Sequence, residues 1–237
     1  MKHLTFYFDV ISPYAYLAFE AMPEFLRGHS HSVTYKPVLF AALLKHHGQL
    51  GPAEIAGKRE WTYRQVLWLA QRQNTPLQIT ATHPFNPLGL LRLAVACATR
   101  GELGGLSPNR HVCEAIFRHV WQGGENAEDM DRLAVLTAAL APARVPASEA
   151  VKAELKSNCE EAIALGVFGV PTVAVDGKLF WGLDALPMLR DYLNAEVNVE
   201  VNVEVSAGGW FQTDAWAQAA LVPIGQARRQ VENRAKN

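Results

Sequence analysis

The feature that most limits how this chain can fold is the placement of its strand-like segments, which occur in two groups far apart in the sequence. The first apolar run, LTFYFDV (4–10), is rich in aromatic and β-branched residues and predicts a buried strand. A helix is expected from about Pro13 to Leu26. The segment SVTYKPVLF (32–40) predicts a second strand, and its Pro37 indicates an edge or an end of the sheet. These segments form a β-α-β unit.

Strand-like segments return only near residue 170. The second group consists of two short strands and a helix: GVPTVAV (169–175), KLFWG (178–182) and LDALPMLRDYL (183–193). Asp176-Gly177, between the two strands, is the strongest short hairpin signal in the chain. If Asp184 caps the helix, Pro187 falls in its first turn, where proline is tolerated.

Between the two groups, residues 41 to about 140 have an almost wholly helical pattern. LGLLRLAVACATRG (88–101) predicts a helix that ends at its last glycine, and Ser107 with Pro108 is expected to cap and start the next one. A further helix at 146–166 leads back to the strands. The first and last parts of the chain are therefore expected to form one sheet, with the helical block as an insertion.

Composition and charge narrow the classes of function. The net charge is −1 and no long basic run occurs, so nucleic-acid binding through a broad electrostatic patch is not expected. The cysteines Cys97, Cys113 and Cys159 include no CxxC pair, which fits a reducing compartment better than a disulfide framework. No apolar run reaches the ~18 residues of a membrane span. Asp9 interrupts the first apolar run and disfavours a cleaved signal peptide, so the protein is expected in the cytoplasm.

No metal-binding pattern is present in the sequence. His46 and His47 are adjacent and therefore point apart on a helix, and no set of Cys, His and carboxylate residues has the spacing of zinc ligands. The sequence also contains no glycine-rich phosphate loop and no G-x-S-x-G nucleophile elbow. We therefore expect no bound metal.

The end of the chain has a different pattern. EVNVEVNVEV (196–205) alternates valine with glutamate or asparagine, a period of two that is typical of a strand. A two-sided, low-complexity strand of this kind has a weakly specified register. Two interpretations stay open: an appended, partly disordered tail, or a strand that adds to a sheet edge, for example across a dimer.

The motif SPYA (12–15) follows the first predicted strand directly. It has the form of a Cys-Pro-Tyr-Cys redox site from which both sulfurs have been removed. Ser12 suits a helix N-cap and Pro13 suits the first helical position, so on its own the motif is an ordinary helix start. Far downstream, GVPT (169–172) places a Val-Pro bond just before a strand.

Together, YFDVISPYAYLA (7–18) and GVPTVAVDGKLFWGLDAL (169–186) resemble motifs of the 2-hydroxychromene-2-carboxylate isomerases and the related kappa-class glutathione transferases. The resemblance covers roughly residues 3–194 in the same element order. It implies an α/β fold, a thioredoxin-like (DsbA-like) domain with an inserted all-helical domain, in which the Val170–Pro171 bond is cis and faces the first helix. The expected domains are the discontinuous thioredoxin-like domain at 1–40 plus 150–195, the helical insertion domain at 41–149 and a low-complexity C-terminal extension at 196–237.

The resemblance also implies glutathione as the cofactor. Ser12 would be the catalytic serine, whose hydroxyl donates a hydrogen bond to the glutathione sulfur where the helix dipole favours a thiolate. Val170, before Pro171, would pair through its backbone with the cysteinyl part. The residues implied for the γ-glutamyl end are Gly182, Leu183 and Asp184. Asp184 can accept the γ-glutamyl ammonium and also suits a plain helix cap, and these two roles are compatible.

The helical insertion would supply the substrate half of the site. The resemblance places five residues near glutathione or substrate: Tyr14, Phe40, Gln49, Lys58 and Asn86. Gln49 departs from the family, in which an asparagine is common at this place. Lys58 is equally well explained as an exposed helix lysine, and Tyr14 and Phe40 as core aromatic residues. Asn86 lies between two prolines, which hold it rigidly.

The implied function is a glutathione-dependent isomerase that converts 2-hydroxychromene-2-carboxylate to trans-o-hydroxybenzylidenepyruvate in aromatic degradation, as a homodimer acting on a small aromatic substrate. A kappa-type glutathione transferase or peroxidase acting on other electrophiles is one alternative. Another is a non-catalytic binding protein that assembles through its tail. A dithiol oxidoreductase is disfavoured, because Ser12 and Ala15 replace both sulfurs.

Overall fold

The computed structural model describes residues 1–101, 105–200 and 219, with the backbone alone at 196–200. Its strands are β1 (Lys2–Phe8), β2 (His31–Pro37), β3 (Thr99–Arg100), β4 (Leu106–Ser107), β5 (Thr172–Val175) and β6 (Lys178–Trp181). Its helices are α1 (Pro13–Phe25), α2 (Phe40–His46), α3 (Ala56–Arg72), α4 (Leu88–Ala96), α5 (Arg110–Trp121), α6 (Met130–Leu140), α7 (Glu149–Ala164) and α8 (Leu186–Glu200). The chain divides into two compact units, residues 1–189 and 190–237.

A four-stranded sheet in the order β2-β1-β5-β6 combines the early and the late strands. β1 runs parallel to β2 and antiparallel to β5, and β5 runs antiparallel to β6. β2 is an edge strand, as its Pro37 predicts, because proline at an edge removes no hydrogen bond that the sheet needs. The expected thioredoxin-like arrangement, with a helical block between the two halves of the sheet, is confirmed.

The two faces of β1 are covered by different helices, because successive side chains of a strand point to opposite faces. Phe6 and Phe8 face an aromatic cluster in which Phe117 of α5 lies 5.3 Å from Phe8 and 5.1 Å from Phe19 of α1, measured between ring centroids. Tyr7 faces a second core, to which α2 and α7 contribute. Since α5 belongs to the helical block, the block and the sheet share one core.

The tight turn between β5 and β6 is also confirmed. Asp176 and Gly177 have φ angles of 50° and 73°, the left-handed conformation that a two-residue hairpin turn requires. The turn sets the register of the two strands, and this register brings the residue after β6 beside the residue before β5. There the Gly182 N–H donates a hydrogen bond of 2.9 Å to the Pro171 carbonyl.

The centre of the helical block differs from the prediction. Helix α4 ends at Ala96, and β3 and β4 pair as a short antiparallel sheet, so the block is not all-helical. Ser107 is not a helix cap, because its hydroxyl donates to the Tyr35 carbonyl and accepts from the Tyr35 N–H. Asn109 caps α5 instead. A tertiary contact with β2 has thus taken the hydroxyl that the local sequence assigned to a helix.

Three element boundaries near the site also differ from the prediction. β2 stops at Pro37, opposite the last residue of β1, and Phe40 already begins α2. β5 begins at Thr172 rather than at residue 169. Asp184 is not the cap of α8, because it lies inside a 3-10 turn, Leu183–Ala185, that precedes the helix.

The valine-rich segment is not a strand where the structure describes it. Helix α8 extends to Glu200, so residues 197–200 are helical. A helix that has already formed gains one hydrogen bond for each residue added, which outweighs the modest strand preference of alternating valines. The rest of the segment, and the extension beyond it apart from residue 219, lies outside the described residues. The predicted domain boundaries stay predictions.

Candidate active site

Ser12 lies between β1 and α1, at the N-cap of that helix. Its backbone is extended, and its Oγ accepts a hydrogen bond of 3.2 Å from the Ala15 N–H. Pro13 occupies the first helical position, where an N–H group would have no partner within the helix. The cap bond occupies a lone pair of the hydroxyl, so the Ser12 proton stays available for an acceptor.

The Ser12 hydroxyl faces the backbone just before β5. Its Oγ lies 3.5 Å from the Val170 carbonyl oxygen, which is the outer limit of a hydrogen bond. The Val170–Pro171 bond is cis, as the family resemblance implies. A stronger acceptor that approached Ser12 from the solvent would therefore take the hydroxyl proton from this long contact.

The turn after β6 completes this side of the site. Gly182 has a φ of 99°, and a Cβ at this position would collide with the Asp184 carboxylate, so the turn requires glycine. Leu183 is buried while Asp184 is exposed. The hydrogen bond from Gly182 to Pro171 holds this turn beside Val170. The turn also places the Asp184 carboxylate at the cleft.

A cleft of about 1020 Å³ brings the predicted site residues together. Those that line it are Ser12, Tyr14, Phe40, Gln49, Lys58, Val170, Pro171, Gly182, Leu183 and Asp184. Asn86 is not among the lining residues, because its Oδ1 accepts the Leu88 N–H at 3.1 Å near the start of α4. The two prolines therefore hold Asn86 where its side chain binds the first residue of α4, and not in the cleft.

Helix α3 forms one wall of the cleft, with Trp61, Thr62 and Gln65 among the lining residues. The Tyr14 hydroxyl donates a hydrogen bond of 2.7 Å to Gln65 Oε1, which links the first turn of α1 to this wall. Burial raises the pKa of Tyr14, so its hydroxyl keeps its proton at neutral pH. The Trp61 side chain is 64% exposed and presents an aromatic surface.

Gln49 and Lys58 line the cleft from the segment between α2 and α3 and from the first turn of α3. Both side chains are exposed. Among the described residues that line the cleft, Lys58 is the one lysine or arginine. An anionic group of a bound molecule would thus be attracted to Lys58 on α3, whereas a cationic group would be attracted to Asp184.

Asp9 lines the cleft as well, although the sequence pattern singled it out only as a break in an apolar run. It is fully buried, and its carboxylate accepts the Ile11 N–H at 3.0 Å and the Phe40 N–H at 2.8 Å. Burial raises its pKa to about 7, against the opposing effect of the backbone N–H groups. The sequence signal for this group is an acidic residue inside the apolar run FYFDV. Acidic groups are rarely fully buried without partners, so such a residue indicates specific hydrogen bonds.

His83, in the loop before α4, is a second lining residue that sequence reasoning missed. Its Nε2 lies 2.8 Å from the Ile11 carbonyl oxygen, and its Nδ1 lies 2.8 Å from the hydroxyl of Tyr63 on α3. Burial lowers the pKa of His83, so the ring is neutral at pH 7. A single histidine has no spacing pattern, so no local signal connected it with Ser12.

The protein's own thiols lie outside the cleft. Cys97, Cys113 and Cys159 are free and buried, and none is among the lining residues. Burial raises the pKa of each of the three thiols, which keeps them protonated at neutral pH. A thiolate at Ser12 would therefore have to come from a bound molecule.

Within residues 1–101 and 105–195, no group of three or more His, Cys, Asp and Glu side chains could hold a metal ion. None of the helices in the described part of the chain combines the length and apolar character needed to cross a bilayer.

The charges and hydrogen-bonding groups of the cleft suit a peptide-like ligand of defined polarity. The N-terminus of α1 carries a partial positive charge, which together with the Ser12 hydroxyl favours an anionic atom there. Val170, which is buried and lines the cleft, adjoins this position, and the exposed Asp184 carboxylate favours a cationic group.

Three comparisons relate the chain to known proteins. The family model of the DSBA-like thioredoxin domain matches residues 3–194. The 2-hydroxychromene-2-carboxylate isomerase of Sphingobium xenophagum is 27% identical over 199 residues, which cover 81% of this chain and 98% of that protein. Glutathione S-transferase kappa 2 of Caenorhabditis elegans is 27% identical, with 81% and 92% covered. A solved structure of a 2-hydroxychromene-2-carboxylate isomerase has the same fold, with a TM-score of 0.73 and 21% identity, covering 86% of this chain and 100% of that one.

The buried carboxyl of Asp9 predicts a pH-dependent stability. Its pKa is raised from 3.8 to about 7 in the folded protein, so the folded state holds this proton more tightly than the unfolded state. Asp9 therefore costs stability progressively as the pH rises from about 4 to about 7. Asp9→Asn removes this titration, and we expect the free energy of unfolding of the wild type, relative to D9N, to fall across that range in urea denaturation. A constant difference between the two proteins would contradict the assignment.

Proposed function

The chain belongs to the DSBA-like thioredoxin domain family, and we propose that it is a glutathione-dependent isomerase that converts 2-hydroxychromene-2-carboxylate to trans-o-hydroxybenzylidenepyruvate. Its similarity to a 2-hydroxychromene-2-carboxylate isomerase and to a kappa glutathione transferase supports an enzymatic role. The observation that carries the proposal is the Ser12 hydroxyl, which sits at a helix N-terminus with its proton available and with no protein thiol beside it.

The donor and acceptor groups of the cleft fit glutathione. The Ser12 hydroxyl can donate to its sulfur, and the N-terminus of α1 stabilises the thiolate form. The Val170 backbone can pair with the cysteinyl unit, and the Asp184 carboxylate can accept the γ-glutamyl ammonium. Ligand sites of about 300–1,000 Å³ hold one drug-sized molecule, so the 1020 Å³ here leaves room for a second, smaller one.

Bound glutathione would supply a thiolate nucleophile, whose reversible addition to the conjugated substrate turns a double bond into a bond that can rotate. Ser12 would hold the sulfur and, by donating a hydrogen bond, would stabilise the negative charge whenever the sulfur carries it. A cysteine at the same place could form a disulfide with the bound thiol, whereas a hydroxyl cannot. Ser12 is thus suited to hold a thiol that arrives from outside.

The α3 side of the cleft would orient the substrate. Lys58 can pair with the substrate carboxylate, and the exposed Trp61 ring offers a surface for an aromatic group. The hydrogen bond from Tyr14 to Gln65 holds this wall at a fixed distance from α1. Phe40, at the start of α2, contributes an apolar group that helps to exclude water.

A kappa-type glutathione transferase or peroxidase is the second candidate, favoured by the similarity to glutathione S-transferase kappa 2. Both functions would use the same sulfur position at Ser12. They differ in the electrophile that the α3 wall accepts, so assays of the chromene isomerisation beside a general electrophile distinguish them.

For the isomerase we further propose a cytoplasmic homodimer that acts in the breakdown of aromatic compounds. A monomer mass by light scattering would contradict the dimer.

Removal of the Ser12 hydroxyl is expected to abolish most of the turnover. The wild type should isomerise the chromene substrate only when glutathione is present, and Ser12→Ala should lower kcat about a hundredfold, because a hydrogen-bond donor to the reacting anion is lost. Turnover followed by absorbance provides the measurement.

Ser148→Ala is the matched control. Ser148 caps α7 through the Val151 N–H and does not line the cleft. Its loss also removes an N-cap, worth about 1 kcal/mol. We expect S148A to lose similar stability and to keep full activity. Full glutathione-dependent turnover by S12A would show that Ser12 does not hold the sulfur.

Asp184 is expected to affect glutathione binding and not the chemical step. Asp184→Asn removes the charge that would pair with the γ-glutamyl ammonium, and because this carboxylate is exposed we expect the KM for glutathione to rise about fivefold with kcat unchanged. Glu54→Gln neutralises another exposed carboxylate of the cleft and should leave both constants as they are. An unchanged KM in D184N would remove Asp184 from the glutathione site.

A further inference from the structure

Three side chains hold the segment that leads from β1 to Ser12. Trp121, the last residue of α5, donates from its Nε1 to the Val10 carbonyl at 2.9 Å. The Asp9 carboxylate accepts the Ile11 N–H, and the His83 ring binds the Ile11 carbonyl. Trp121 and His83 both come from the helical block, so the block reaches directly to the residues before Ser12.

The His83 bond acts on the peptide plane that contains the Ser12 nitrogen. The Ile11 carbonyl and the Ser12 N–H belong to one rigid planar unit. The oxygen edge of this unit accepts from His83 Nε2 at 2.8 Å, and its N–H edge donates to the Asp9 carbonyl at 3.1 Å. A plane held at both edges fixes the Ser12 N–Cα bond from which the side chain departs, and the cap bond from the Ala15 N–H to Oγ then orients the hydroxyl.

The tautomer and the orientation of His83 are determined by its partners. A carbonyl oxygen only accepts, so Nε2 carries the proton in the neutral ring and Nδ1 is free to accept from the Tyr63 hydroxyl at 2.8 Å. The ring also packs against Trp121 and Phe85, with centroid separations of 5.6 and 6.0 Å. These contacts leave the imidazole one way to face Ile11.

We propose that His83 is a positioning residue for the Ser12 hydroxyl, acting through the Ile11 carbonyl and oriented by Tyr63. This role rests on the proposed function of Ser12 in holding the glutathione sulfur. Because Tyr63 follows Thr62, a residue of the α3 wall, the same helix that would receive the substrate also sets the position of the sulfur site. Loss of His83 should therefore displace the hydroxyl without removing any group that touches the ligand sulfur.

The test compares His83→Leu with a conservative and a matched variant. His83→Gln keeps a donor for Ile11 and an acceptor for Tyr63. His119→Leu removes another half-buried histidine of lowered pKa, whose Nε2 lies 3.2 Å from the Ala127 carbonyl and which does not line the cleft. The stability of each variant is measured by thermal unfolding, so that any general loss of folding is accounted for.

Two readouts follow the Ser12 hydroxyl. The first is the pKa of bound glutathione, from the thiolate absorbance near 240 nm in a pH titration; we expect it to rise in H83L toward the free-thiol value of about 8.5. The second is kcat, which should fall about tenfold to a hundredfold, as is typical when a reacting group is misplaced. H83Q should recover most of both, and H119L should match the wild type.

The possible outcomes separate this inference from the function on which it rests. If H83L has the same thiol pKa and kcat as the wild type, His83 does not have the proposed role. The same holds if H83L and H119L lose equally, and in both cases the role of Ser12 is unaffected. A wild type that binds no glutathione overturns the proposed function and this role together. If H83L does not fold, Tyr63→Phe decides: a change of both readouts in the same direction supports the role, and wild-type values contradict it.

Discussion

The antiparallel pairing of Tyr7 with Thr172 determines where the other parts of the site lie. These residues come from distant parts of the sequence, and their pairing brings Ser12, which caps α1, next to Val170, two residues before β5. The Ser12 hydroxyl thus faces Val170, although more than 150 positions separate them in the sequence. Without this register the cap would be an ordinary helix start with no ligand-binding partner.

The helical block does more than cover the sheet. It supplies the α3 wall of the cleft, and through Phe117 it shares the aromatic core beneath β1. Through Trp121 and His83 it also holds the short segment before Ser12. The glutathione half and the substrate half of the proposed site are therefore joined by hydrogen bonds, so a change in the block can alter the sulfur position without touching it.

Features that rest on local chemistry could be predicted from the sequence. Ser12 as a cap and Asp176-Gly177 as a hairpin turn depend on residues that lie side by side in the chain. Ser107 shows the limit, because its hydroxyl serves β2 instead of starting a helix. Asp9 and His83 could not be assigned to the site in advance, since their roles depend on which backbone groups the fold brings to them.

A crystal structure of the protein with glutathione tests the central claim most directly. We expect the sulfur to lie within about 3.5 Å of Ser12 Oγ, close enough for a hydrogen bond. The cysteinyl backbone should pair with Val170, and the γ-glutamyl ammonium should lie beside Asp184. A sulfur bound away from Ser12, or glutathione bound outside the cleft, would contradict the account.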